Sequence, residues 1–89
     1  MLFSEEQLKE IEEMAALFFP PESIAVNIEV DIDDFTELIT NKIGDGYKAY
    51  CTGRLSSEIE LRTAIRNAAL NGSTPAQTLF VNFFKDSIL

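Results

Sequence analysis

Pro21-Glu-Ser-Ile24-Ala25-Val-Asn-Ile28-Glu29-Val30-Asp31-Ile-Asp-Asp-Phe35-Thr-Glu-Leu38-Ile39 is the stretch whose reading decides the fold. Pro21 suits the first position of a helix, where a missing N–H costs nothing. Ile24, Ala25 and Ile28 then recur at helical spacing and predict a short helix with one apolar stripe. Val30-Asp31 interrupts that stripe. Asp31 is placed to cap a following helix, with Asp34 near its third position and Ile32, Phe35, Leu38 and Ile39 facing inward.

Helical signals continue on both sides. Upstream, Ser4-Glu-Glu-Gln7 is a capping box, and Leu8, Ile11, Ala15 and Phe18 share one face, so a helix is expected from Ser4 to Phe18. Glu5 and Glu6 sit in its first turn, where the helix dipole favours them. Pro20-Pro21 ends it. Downstream, Asn41 to Gly46 reads as a turn and Tyr47 to Thr52 as a short helical segment ended by Gly53. Ser57-Glu-Ile-Glu60 is a second capping box. Ile59, Leu61, Ala64, Ile65, Ala68 and Ala69 carry that helix to the Asn71-Gly72 stop. Thr74-Pro75-Ala-Gln77 is a third box, followed by Ala76, Leu79, Phe80, Phe83 and Phe84. The expected fold is all-α: three short helices forming an N-terminal helix-turn-helix part, then a C-terminal αα-hairpin, in a single domain over 1–89.

A chain of 89 residues allows one domain with a modest core. Its net charge of −8 is unevenly spread. Residues 1–41 hold eleven acids against Lys9 alone, whereas residues 42–89 hold four acids against six bases. A polyanion is therefore repelled by the acidic front and tolerated by the mildly basic back. A single cysteine, Cys51, forms no intrachain disulfide and suits a reducing compartment. The first residues lack a basic segment followed by an apolar one, and no apolar run approaches a bilayer's thickness. A cytoplasmic protein with no membrane partner is expected.

No catalytic constellation is visible. The chain has no histidine, which removes the usual general base and every histidine-dependent nucleophile pair. One cysteine does not make a zinc site. Gly44-x-Gly46 lacks the rest of a phosphate-binding fingerprint. Asp31, Asp33 and Asp34 lack the glycine and the terminal glutamate of a calcium loop and read as a cap with a solvated helix start. Lys48 and Arg54 would activate the Cys51 thiol only by pointing at it; a buried, inert cysteine is expected. The expectation is a non-enzymatic protein with no metal, cofactor or small-molecule substrate.

The Pro21–Ile39 stretch resembles the helix-turn-helix pattern. Ile24 and Ile28 match its first-helix core positions, Ala25 its small residue, Val30 the position after the turn, and Phe35 and Leu38 the buried side of its second helix. The turn position often taken by glycine in that pattern is Glu29 here. The would-be recognition helix carries Asp33, Asp34 and Glu37, where groove reading calls for Lys, Arg, Asn or Gln. The longer layout adds Tyr47-Lys-Ala-Tyr50-Cys-Thr-Gly53-Arg54-Leu, then Glu60-Leu-Arg62 through Gly72-Ser73, then Ala76-Gln-Thr-Leu79. It is similar to small phage proteins related to terminase small subunits. That resemblance implies a DNA-associated protein, of phage or mobile-element origin, acting in an oligomeric ring. With acids on the recognition helix, weak DNA binding is expected from the back half, through Lys42, Lys48, Arg54, Arg62 and Arg66, with Tyr47 and Tyr50 interleaved. Pairing of Glu58 with Arg62 on an ordinary solvated surface competes with that reading.

The C-terminal segment is very apolar for so small a chain. Phe80, Val81, Phe84 and Ile88 are expected to form a homo-oligomer interface, with Val81 lying off the Phe80–Phe84 stripe. The alternative to a DNA-associated protein is an acidic protein–protein adaptor, or an oligomerising structural protein, that binds no nucleic acid. Its acidic faces, the first helix and Asp33–Glu37, would meet a basic protein partner.

Overall fold

The computed structural model describes residues 1–88 and contains five helices: α1 (Glu5–Ala16), α2 (Pro21–Asn27), α3 (Ile32–Thr40), α4 (Gly44–Leu70) and α5 (Thr74–Ile88). No strand occurs among the described residues. The chain divides into two compact units, Met1–Ser57 (unit 1) and Glu58–Leu89 (unit 2).

Unit 1 starts as its caps dictate. The Ser4 hydroxyl accepts from the Gln7 amide at 3.0 Å, and the Gln7 side chain accepts from the Ser4 amide at 2.9 Å. Both bonds of the capping box are thus made. The Gln7 side-chain nitrogen also donates to the Ile28 carbonyl at 3.1 Å, which ties the start of α1 to the end of α2. The Asp31 carboxylate caps α3 by accepting from the Asp34 amide at 2.9 Å.

The core of unit 1 is Ile11, Ala15, Ile24, Ala25, Ile28 and Phe35, with Phe3, Leu8, Met14, Val30, Ile39, Ala49 and Tyr50 packed around it. The Phe3 ring meets Phe35 edge-on, with centroids 6.0 Å apart and planes at 90°. α2 packs on both α1 and α3. Two of the expected inward residues turn outward: Phe18 is 45% exposed and Ile32 is 42% exposed. Phe18 is not in α1 at all.

The reason lies in how the helices end. After α1, Phe18 has φ 62, and the amides of Phe18 and Phe19 donate to Ala15 and Met14 at 2.9 and 3.1 Å. After α2, Glu29 has φ 60, and the amides of Glu29 and Val30 donate to Val26 and Ala25 at 3.3 and 3.1 Å. After α3, Lys42 has φ 58, and the amides of Lys42 and Ile43 donate to Ile39 and Leu38 at 3.2 and 3.1 Å. After α4, Gly72 has φ 97, and the amides of Gly72 and Ser73 donate to Ala69 and Ala68 at 3.1 and 3.0 Å. All four are Schellman closures, three of them with a non-glycine residue in the left-handed position.

α4 corrects the sequence reading most. Tyr47–Thr52 is not a separate helix, Gly53 does not stop it, and Ser57-Glu-Ile-Glu60 caps nothing; α4 runs unbroken from Gly44 to Leu70. Gly53 is buried where α4 crosses α1. A Cβ at that position would run into the Glu12 carbonyl and lie 3.0 Å from the Ala15 Cβ. The glycine therefore serves close approach, which offsets its cost of about 1 kcal/mol inside a helix. The turn expected over Asn41–Gly46 shortens to Asn41–Ile43.

In unit 2, Asn71, Gly72 and Ser73 join α4 to α5. Ser73, one residue earlier than expected, receives the first bonds of α5. Its hydroxyl accepts from the Ala76 amide at 3.4 Å and its carbonyl from the Gln77 amide at 3.0 Å. The Gln77 side chain donates to the Ala69 carbonyl at 3.1 Å instead of closing a box on Thr74.

Candidate functional site

Two surfaces stand out, one in each unit. Unit 1 contains twelve of the fifteen acids against Lys9, Lys42, Lys48 and Arg54, and so holds the whole net charge of −8. Unit 2 is neutral, with Glu58, Glu60 and Asp86 against Arg62, Arg66 and Lys85.

On unit 1 an open groove of about 490 Å³ is lined by Met1, Asp34, Glu37, Leu38, Asn41 and Ile43. Asp34, Glu37, Leu38 and Asn41 are spaced three, four and seven apart, so they form one stripe along α3. Leu38 is half-buried, Ile43 is 56% exposed and Met1 is 55% exposed. Two carboxylates thus border an apolar trough. The closure after α3 builds part of it, because Leu38 and Ile43 are the residues whose backbones pair there. Sequence reading missed this groove, since it assigned Leu38 inward and Asp34 and Glu37 outward. The available signal was the apolar pair Leu38 and Ile43, five apart around a helix end.

The five basic residues expected to bind nucleic acid fall in both units. Lys42, Lys48 and Arg54 belong to unit 1, and Arg62 and Arg66 to unit 2. Lys42 holds the left-handed turn position and is exposed, as are Lys48 and Arg66. Arg54 is half-buried, with its guanidinium 4.9 Å from the Tyr50 ring centroid and 5.4 Å from that of Phe18. Its Nε is buried without a hydrogen-bond partner. The Arg62 guanidinium lies 4.1 Å from the Phe83 centroid. Both arginines are thus engaged with aromatic faces of their own unit.

Cys51 is half-buried. A side-chain hydrogen bond between Cys51 and Tyr47 is the main cause that pushes the Tyr47 phenol above its usual 10.0. Among the described residues no cluster of three or more His, Cys, Asp or Glu side chains is suited to a metal. No helix among them is long and apolar enough to cross a membrane.

Unit 2 has an unusual distribution of apolar side chains. Its one buried residue among those described is Ala76. Ile65, Ala68, Ala69 and Phe83 are half-buried. Ile59, Leu61, Leu70, Leu79, Phe80, Val81 and Phe84 are exposed, Phe84 at 60% and Val81 at 48%. Of the expected interface residues, Phe80, Val81 and Phe84 lie on this exposed surface; the side chain of Ile88 is outside the described residues.

No protein-family model matches this sequence, and neither a curated protein nor a solved structure does.

Proposed function

We propose that this chain is a non-enzymatic binding protein that works as an assembly of copies, held together through unit 2. The observation that carries the reading is the exposure of Leu79, Phe80, Val81 and Phe84 on a two-helix unit whose one buried residue among those described is Ala76. A unit of this size is well below the length that sustains its own core. Each large apolar side chain withdrawn from water contributes about 1.5–3 kcal/mol. Neutrality supports a second copy as the occupant: two such units meet with no net repulsion, while the charge of −8 stays on unit 1. A reducing, cytoplasmic setting fits the lone thiol of Cys51. The test is sedimentation velocity on the Val81→Glu, Phe84→Glu double variant, with helicity checked by circular dichroism. Folded protein of lower mass than the parent supports the reading; unchanged mass sinks it.

A second reading, DNA association of the terminase small-subunit type, is supported by the α2–α3 connection. Glu29 adopts the left-handed conformation at the turn position where the helix-turn-helix pattern often has glycine, and α2 packs on α3. The weak contact would then come from exposed Lys48 and Arg66 on each copy of an oligomer. Polarisation of a labelled DNA duplex at low salt tests it. Binding that Lys48→Glu and Arg66→Glu abolish favours this reading, and no binding at low salt removes it.

A further inference from the structure

We propose that the groove on unit 1 is a docking site for a basic segment of another protein. The segment would place an apolar side chain among Met1, Leu38 and Ile43 and a lysine or arginine against Asp34 and Glu37. The lining contains two carboxylates and no basic side chain. It belongs to a unit in which acids outnumber bases three to one. That field repels nucleic acid and acidic peptides, and it also opposes a second copy, whose unit 1 carries the same −8. A basic partner is the class that gains from it. The groove is open, and its volume of about 490 Å³ leaves room for a few side chains.

Chemistry limits how the site works. Asp34 and Glu37 are exposed, so each ion pair adds little by itself. Specificity therefore requires the apolar insertion as well as the charge. A lysine-rich peptide without an apolar side chain would be attracted by the whole unit but not seated in the groove. All of its lining residues belong to unit 1.

The experiment uses the full chain and three fluorescein-labelled peptides: one of Lys and Leu at helical spacing, one with Ser for Leu, and one with Glu for Lys. Polarisation at moderate salt is expected to show binding of the Lys/Leu peptide, weaker binding of the Lys/Ser peptide and none of the Glu/Leu peptide. Asp34→Asn with Glu37→Gln should weaken the Lys/Leu peptide by about tenfold, and Ile43→Ser by a similar factor. Glu12→Gln with Glu13→Gln removes the same charge from exposed positions of α1 and should have less than about a twofold effect. Equal weakening by the two double variants would overturn the site in favour of general charge attraction. So would equal affinity for the Lys/Leu and Lys/Ser peptides, or no binding of the Lys/Leu peptide. Repeating the titration on the Val81→Glu, Phe84→Glu chain separates the two ideas: groove binding is expected to persist whatever happens to the mass.

Discussion

Gly53 of α4 lies against the carbonyl of Glu12 in α1 so closely that the space for a Cβ is already occupied by that oxygen. The obstacle is backbone on both sides, so no side chain can swing away. Gly53→Ala is expected to part the α1–α4 crossing and to lower the stability of unit 1 by about 1–3 kcal/mol. Gly46→Ala is the comparison. A Cβ there would come within 2.6 Å of the Phe3 ring, which is a movable side chain near the chain start. Its cost should be smaller. Urea unfolding followed by circular dichroism checks both, and a Gly53→Ala variant as stable as the parent contradicts the crossing.

The three non-glycine closures store strain. A left-handed residue with a Cβ costs about 1–2 kcal/mol, part of which glycine gives back through the greater freedom of its unfolded chain. Glu29→Gly and Lys42→Gly should therefore each stabilise by up to about 1 kcal/mol. Phe18→Gly should not, because it removes the ring beside Arg54. Thermal unfolding of the three variants gives the order.

The Thr36 hydroxyl is buried with no hydrogen-bond partner. Replacing it by a methyl group of similar size removes the desolvation penalty and keeps the packing. Thr36→Val is expected to stabilise unit 1 by about 1 kcal/mol. A loss of stability would mean that the hydroxyl is satisfied in solution.

The Tyr47 phenol, pushed up mainly by the side chain of Cys51, has a pH signature. A phenol whose pKa is raised on folding favours its neutral form in the folded state. Its contribution is fully present below the unfolded value of 10.0 and is lost as pH rises through the higher folded value. Ultraviolet titration of a Tyr50→Phe chain should find Tyr47 ionising above 10.0, and Cys51→Ala should lower that midpoint.

Much of unit 1 was legible because its signals are local. Ser4, Pro21 and Asp31 start helices by bonds or ring constraints that a short window contains. Ile11, Ala15, Ile24, Ala25, Ile28 and Phe35 declare a face by spacing alone, and all six are buried. Helix ends were harder. Gly72 looked like a stop and is one, whereas Gly53 looked like a stop and is a crossing. What separates them is the Glu12 backbone, more than forty residues away in sequence. Phe18, Glu29 and Lys42 gave no compositional cue, because each helix is closed by paired backbones and not by its residue type. The pairs Met14 and Phe19, Ala25 and Val30, and Leu38 and Ile43 were the cue on offer. The groove stayed hidden for the same reason, since one of these closures builds it. Charge counted along a chain also says nothing about what each basic side chain stacks on. Arg54 and Arg62 found aromatic rings.

The proposed assembly requires that unit 2 bury its exposed apolar side chains against another copy. Static light scattering of the full chain across micromolar concentrations tests it most directly. A mass of at least twice 10.0 kDa is expected, falling toward 10.0 kDa on dilution or in the Val81→Glu, Phe84→Glu variant. A concentration-independent mass of 10.0 kDa for the parent chain would contradict it.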